Sequence, residues 1–115
     1  MISELLGKQA TFAYNVSYLL QFIHDKGYMC TFGDAFRSPE QAKLNAAAGK
    51  GIANSLHCER LAIDLNLFDK DGKYLTSKED FQKIGEYWKD LNPKNRWGGD
   101  FQHLIDSNHF EMQNI

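Results

Sequence analysis

Apolar residues recur at helical spacing in two long segments of the chain, and each series follows a serine that can cap a helix. The series after Ser3 predicts a long helix that ends where Gly27 permits a left-handed C-cap. The series after Ser77 predicts a helix over Lys78 to Leu91, which Asn92-Pro93 stops. The residues expected to face the core are Leu5, Phe12, Val16, Leu19, Phe22 and Ile23 in the first helix and Phe81, Ile84, Tyr87 and Trp88 in the second.

A third helix start lies in the sequence Ser38-Pro39-Glu40-Gln41. Ser38 can cap the helix, Pro39 suits the first helical position, and Gln41 can complete a capping box. We therefore expect a short helix to about Ala48, followed by a flexible loop at Gly49-Lys50-Gly51.

Other segments show the composition or the two-residue alternation of strands. Leu61 to Leu67 places Ile63, Leu65 and Leu67 on one face and Ala62, Asp64 and Asn66 on the other. Tyr28 to Phe32 has β-forming composition, and the tail from Trp97 to Met112 is expected to be strand and turn. The sequence from Asp69 to Gly72 predicts a tight turn into a short strand near Tyr74-Leu75. A calcium loop is the weaker interpretation, since a third acidic ligand before Gly72 is missing.

The order of these elements predicts an α+β fold, with an antiparallel sheet and helices packed against it. With 115 residues and 43% hydrophobic content, we expect one compact domain over residues 1–115. A formal net charge of -2 argues against nucleic acid as a partner. Apolar runs are too short to span a membrane. Two cysteines, Cys30 and Cys58, exclude a disulfide scaffold, and the first residues lack the positive charge of an export signal, so synthesis in the cytoplasm is expected.

Candidate chemistry begins with polar residues at positions where folding alone favours other residue types. Asp64 interrupts an apolar strand seven positions after His57, and Asp106 stands three residues before His109. Two imidazoles and one carboxylate, with a fourth position left for water, are the ligands of catalytic zinc. Asp106 is then placed to take a proton from the attacking water, and Arg37 to stabilise an oxyanion or hold a substrate carboxylate.

Each of these residues also has a structural interpretation. A lone histidine is more often a surface or satisfied core residue, Arg37 a helix-end cation, and Asp106 a turn residue. His24 and His103 are interpreted as structural. Cys58 is expected to lie on an extended segment, facing away from His57, as a small buried hydrophobe.

Four motifs occur in the order found in a known family: Arg37-Ser38-Pro39-Glu40-Gln41, Ser55-x-His57-x6-Asp64, Trp97-Gly98-Gly99-Asp100-Phe101 and Asp106-x-x-His109-Phe110-Glu111. In these motifs the chain resembles the zinc D,D-carboxypeptidase and L-alanyl-D-glutamate endopeptidase family, which includes VanY-type carboxypeptidases and phage endolysins. The resemblance covers most of the chain and implies a Hedgehog/D,D-peptidase-like fold that forms a single metallopeptidase catalytic domain.

The resemblance also implies roles for individual residues. It implies Zn²⁺ as cofactor with ligands His57, Asp64 and His109, Asp106 as catalytic base, and Arg37 as a transition-state or substrate contact. Ser55 matches a serine whose hydroxyl binds substrate in the family, and a turn cap is an equally good interpretation. Two departures stand out, because many relatives carry Gly at the position of Arg60 and Glu at the position of Asp106.

The Asp at position 106, the Trp-Gly-Gly-Asp-Phe tract and the small size resemble the endolysin branch. We therefore expect a zinc peptidase that cuts the L-alanyl-D-glutamate bond of the peptidoglycan stem peptide, with D-alanyl-D-alanine carboxypeptidase as the alternative. A non-catalytic zinc-stabilised binding module and a cysteine-dependent amidase are further alternatives. An endolysin of this kind is expected to be a monomer that reaches the cell wall or periplasm through a holin or a damaged membrane.

Overall fold

The computed structural model describes residues 3–49 and 55–115. Its three α-helices are α1 (Glu4–Asp25), α2 (Pro39–Ala47) and α3 (Lys78–Leu91). A serine caps each of them, as the sequence predicts: Ser3, Ser38 and Ser77 accept hydrogen bonds from the backbone N–H three residues on, at 3.0 to 3.1 Å. Gly27 follows α1 with a φ of +89°, which confirms the predicted left-handed end of that helix.

The five strands are β1 (Met29–Phe32), β2 (Ala62–Phe68), β3 (Tyr74–Leu75), β4 (Asn95–Trp97) and β5 (His109–Met112). They form one sheet in the order β1-β2-β5-β4, with β3 paired to β2, and every pairing is antiparallel. Asp69 Oδ1 accepts hydrogen bonds from the backbone of Asp71 and Lys73, both at 2.9 Å. The tight turn before β3 is thereby confirmed, and so is the predicted α+β fold with an antiparallel sheet.

The two faces of the sheet differ in polarity. Along β2, Ile63, Leu65 and Leu67 are buried in the main core, while Asp64 faces the other way and is only half-buried. Helices α1 and α3 pack on the apolar face, and the core they share with the sheet contains Phe12, Val16, Leu19, Ile23, Phe81, Ile84, Trp88, Trp97, Phe110 and Met112. The packing of α1 and α3 on one face therefore leaves the polar residues of β2 and β5 on the opposite face.

Trp97 at the end of β4 fills a narrow space between two glycines. A Cβ atom added at Gly85 in α3 or at Gly99 would lie 2.2 or 2.1 Å from the indole ring. The indole Nε1 donates a hydrogen bond to the carbonyl oxygen of Ser107 at 2.7 Å. Trp97 thus joins the core to the segment that precedes β5.

Three local expectations are wrong. Leu5 is 39% exposed, because the 22-residue α1 is about 33 Å long and extends beyond a sheet whose longest strand spans about 23 Å. The Gln41 side chain donates to Asn45 Oδ1 at 2.7 Å instead of completing a capping box. Leu56–Glu59 forms a 3-10 helix rather than an extended segment. The predicted loop at residues 49–51 lies mostly outside the described residues.

Within residues 3–49 and 55–115, none of the helices has the length and apolar character needed to cross a membrane.

Candidate metal centre

Three potential metal ligands converge on the polar face of the sheet. Asp64 on β2 and His109 on β5 are directly paired residues of neighbouring strands, and His57 comes from the 3-10 helix before β2. Asp64 Oδ1 lies 3.0 Å from His109 Nδ1 and 3.4 Å from His57 Nε2. We call these three residues the donor triad, and its ligand atoms all lie within 4.8 Å of one another.

The geometry and chemistry of the donor triad fit zinc. Two ligands about 2.0–2.1 Å from a tetrahedral zinc ion lie roughly 3.3 Å apart, close to the spacings seen around Asp64 Oδ1. Two imidazole nitrogens and one carboxylate oxygen are zinc donors, and three protein ligands leave a position open. The donor set is therefore that of a catalytic rather than a closed structural zinc site.

Local turns hold His57 in place. Ser55 Oγ accepts the backbone N–H of His57 at 3.1 Å, which is the capping role weighed for Ser55 above, and its predicted contact with substrate stays a prediction. Arg60 ends the 3-10 helix with a φ of +58°, a conformation that glycine adopts most easily. The guanidinium of Arg60 lies 4.1 Å from the centre of the Phe36 ring. The glycine found in many relatives thus corresponds to a left-handed position here.

The donor triad is strongly coupled in its ionisation. Burial alone would raise the pKa of Asp64, but hydrogen bonds from His109 and His57 outweigh it and lower that pKa to about 2. Burial would likewise lower the pKa of His109, yet hydrogen bonds to Asp64 and Glu111 raise it to about 9. In the metal-free protein, therefore, a protonated His109 occupies the electrostatic role that a cation would take.

Asp106 lies beside the donor triad on the loop of residues 101–108. Its backbone N–H donates to Gly98 O and its carbonyl accepts from His109 N, both at 3.0 Å. Partial desolvation is the main cause that raises its pKa; the charge of Asp64 adds to this, while those of His109, His57 and Arg37 oppose it. A raised pKa makes this carboxylate a stronger base than a free aspartate.

Arg37 lies within electrostatic range of Asp106 and is linked to the metal-binding region through the backbone. Its N–H donates to the carbonyl oxygen of His57 at 3.3 Å, and its guanidinium donates to Asp34 Oδ2 at 2.7 Å. The side chain is 15% exposed, and its buried Nε finds no acceptor among the described residues. An approaching oxygen can therefore contact only the exposed part of this side chain.

A cavity of about 410 Å³ opens next to Asp106. Its walls come from β2, β3, the start of α3 and the 101–108 loop, and they include Asn66, Tyr74, Lys78, Phe81 and Asn108. The mixture of apolar and hydrogen-bonding side chains is typical of a binding cleft.

Sequence reasoning assigned no role to Glu111, although the motif containing it was noted. Glu111 is buried and lies 2.7 Å from His109 Nε2, and Arg96 binds its other oxygen. Strand alternation carries the signal for this contact, since residues 109 and 111 share one face of β5. His24 and His103 are exposed and are not members of the donor triad. Cys58 is half-buried beside His57 in the chain.

Comparison with known proteins identifies the family. Residues 48–112, more than half of the chain, match the family described as D-alanyl-D-alanine carboxypeptidase. The chain belongs to this family. The sequence-based prediction of a zinc-dependent peptidoglycan peptidase is thereby confirmed at the level of the family. A search of curated proteins found no match.

Solved structures share the fold at low sequence identity. The L-Ala D-Glu endopeptidase ChiX of Serratia marcescens has a TM-score of 0.72 and 17% identity, over 89% of this chain and 77% of its own. The second structure is a mutant of the D,D-pentapeptidase VanY from a VanB-type vancomycin resistance cassette, in complex with Zn(II). Its TM-score is 0.59 and its identity 15%, over 88% of this chain and 70% of its own. The LD-carboxypeptidase LdcB has a TM-score of 0.61 and 16% identity, over 90% of this chain and 64% of its own.

Proposed function

We propose that this protein is a zinc-dependent L-alanyl-D-glutamate endopeptidase acting on the peptidoglycan stem peptide. The observation that carries the proposal is the donor triad with Asp106 beside it, on the face of the sheet opposite the one that α1 and α3 cover. In this proposal His57 Nε2, Asp64 Oδ1 and His109 Nδ1 hold the metal. Bound zinc would supply a Lewis acid that polarises a carbonyl and acidifies water.

The protein's own groups then have distinct tasks. Asp106 does not belong to the donor triad, so its carboxylate can accept the proton of the attacking water and later deliver it to the leaving amine. Arg37 offers the exposed part of its guanidinium to an oxygen of the substrate. The cavity beside Asp106 gives room for part of the peptide on the same side as the base. These placements assign proton transfer and substrate orientation to different side chains.

Two considerations favour the L-alanyl-D-glutamate bond. Asp rather than Glu at position 106 resembles the endolysin branch, and the TM-score of 0.72 with an L-Ala D-Glu endopeptidase exceeds the values of 0.59 and 0.61 for the VanY and LdcB structures. The family description and the latter two structures favour the second candidate, a D-alanyl-D-alanine carboxypeptidase.

Mass spectrometry of muropeptides after incubation with the zinc-loaded protein tests the proposal. Cleavage between L-Ala and D-Glu leaves L-Ala on the muramic acid and releases a peptide that begins with D-Glu. Release of D-Ala alone would instead identify the carboxypeptidase. Binding to peptidoglycan without any product would indicate a binding module. Activity that survives a chelator but not thiol alkylation would point to the cysteine-dependent amidase.

Asp106→Ala provides the matched control for this assay. It should retain zinc and yield about 10²–10⁴-fold less product, which excludes a contaminating hydrolase as the source of the fragments.

A further inference from the structure

A three-residue polar chain crosses the sheet next to the proposed zinc ligands. Arg96 on β4 pairs with Glu111 on β5 across the strands, and its Nε donates to Glu111 Oε2 at 2.8 Å. The other carboxylate oxygen, Oε1, lies 2.7 Å from His109 Nε2. Glu111 is 6% exposed, so its carboxylate is committed to these two partners rather than to bulk water.

This three-residue polar chain reaches the side of the His109 ring that faces away from Asp64. His109 Nδ1 is the nitrogen that lies 3.0 Å from Asp64, and the two nitrogens of an imidazole point in different directions. Glu111 therefore stands behind the ring, where it contacts the nitrogen not directed at Asp64. This position argues against Glu111 as a fourth ligand to the same ion.

We propose that Glu111 is the positioning residue of His109: by accepting a hydrogen bond from Nε2–H, it leaves the Nδ1 lone pair for zinc and fixes the ring plane. The proposal rests on the proposed role of His109 as a zinc ligand. A carboxylate that accepts from the remote N–H of a metal-binding histidine defines the tautomer and increases the basicity of the ligand. A buried acceptor without rotational freedom also removes the ring's alternative orientations.

Arg96 has a supporting part in this arrangement. Its planar guanidinium binds Glu111 on the carboxylate oxygen that does not contact His109. Within this three-residue polar chain, only the Arg96 side chain is substantially exposed. Loss of Arg96 leaves the bond between Glu111 and His109 in place. Loss of Arg96 should therefore weaken zinc binding, as loss of Glu111 does, but by a smaller factor.

Zinc affinity, measured by competition with a chelator of known affinity, tests the proposal in Glu111→Leu and Glu111→Gln. Leu removes the acceptor at similar volume and should weaken zinc binding by about 10–100-fold. Gln keeps an oxygen that can accept from Nε2–H, but it lacks the negative charge and turns its NH2 group toward Arg96, so it should weaken zinc binding less than Leu does. Glu86→Leu and Glu86→Gln are the matched controls, because Glu86 lies exposed on α3 and pairs only with Gln82 and Lys89 among the described residues. Both controls should bind zinc as the wild type does.

Equal zinc affinity in Glu111→Leu and wild type would overturn the proposal while leaving the zinc assignment intact. A Glu111→Gln protein that binds as weakly as Glu111→Leu would also overturn it, since the acceptor would then not be the property that matters. If the wild type binds no zinc, both the proposed function and this inference are wrong.

A second measurement needs no variant and can overturn the proposal even if Glu111→Leu fails to fold. Long-range 1H–15N spectra of the zinc-loaded wild type distinguish the two ring nitrogens of His109. We expect the proton on Nε2 and the metal shift on Nδ1. A proton on Nδ1 with the metal at Nε2 would overturn the proposal.

Discussion

The change Gly98→Ala adds a single methyl group between the core and the proposed catalytic base. The added Cβ would lie 2.1 Å from the carbonyl oxygen of Asp106 and 2.9 Å from the Cβ of His109. Ordinary contacts start at 3.4 Å, so the 101–108 loop has to move away from Gly98 by roughly 1 Å, a displacement that can cost about 10²-fold in rate.

The loop cannot make this movement without loss. Asp106 N–H is bonded to Gly98 O at 3.0 Å, and Ser107 O to the indole of Trp97 at 2.7 Å. Overpacking of this kind costs about 1–3 kcal/mol, which corresponds to a melting temperature lower by roughly 4–12 °C at about 4 °C per kcal/mol. We expect kcat/KM to fall about 10²-fold while one equivalent of zinc is retained, because the contact with His109 needs the smaller shift.

The assay compares peptide release, zinc content and thermal unfolding on the same protein samples, well below the melting temperature. Ile84→Val is the matched control: Ile84 is buried in α3, and the change costs about 0.5–1.5 kcal/mol without touching the 101–108 loop. It should lower the melting temperature and leave kcat/KM unchanged. Wild-type activity in Gly98→Ala would refute the reasoning. Loss of zinc while the 101–108 loop keeps its wild-type position would also refute it.

Four further changes test separate parts of the site. Asp106→Ala should keep zinc and lose about 10²–10⁴-fold in kcat/KM, whereas Asp106→Glu should keep partial activity; full activity in Asp106→Ala would exclude this base. His57→Ala should purify without a full equivalent of zinc while folded by circular dichroism, since only three protein groups hold the ion. Arg37→Lys should lower kcat/KM because an ammonium cannot reproduce the guanidinium fork. In the presence of a chelator, the urea midpoint of unfolding should fall as pH rises from about 6.5 to about 9. Because the pKa of His109 is raised to about 9 in the folded protein, its protonation stabilises the fold fully below about pH 6.5, and this stabilisation is lost as the pH passes about 9. A flat profile would contradict the ion pair with Asp64.

Local sequence signals were sufficient for the helix starts and for the two faces of β2. Serines at 3, 38 and 77 bind a nearby backbone N–H whatever the rest of the fold does, so they mark the helix starts. The alternation around Asp64 likewise fixes which residues of β2 face the core. These features depend on neighbours within a few positions in the chain, and the sequence therefore predicts them.

Two kinds of feature were predicted only in part or missed: contacts between distant segments, and a local helix for which the sequence carries no clear signal. The pairing of Asp64 with His109 joins residues 45 positions apart, and the contact of Arg96 with Glu111 depends on the register between β4 and β5. The 3-10 helix at Leu56–Glu59 is stabilised by the Ser55 cap and by a left-handed Arg60, a conformation for which arginine gives no sequence signal.

The buried indole of Trp97 makes the position of the 101–108 loop optically observable. Its Nε1 is bonded to Ser107 O, one residue from Asp106, while the other tryptophan, Trp88, is hydrogen-bonded to the backbone of Arg96 and Glu111 inside the core. A change at the loop alters the hydrogen bond and surroundings of one indole and leaves the other in place. In a Trp88→Phe background, the emission maximum of Trp97 would therefore report whether this loop moves when substrate binds, without an added label.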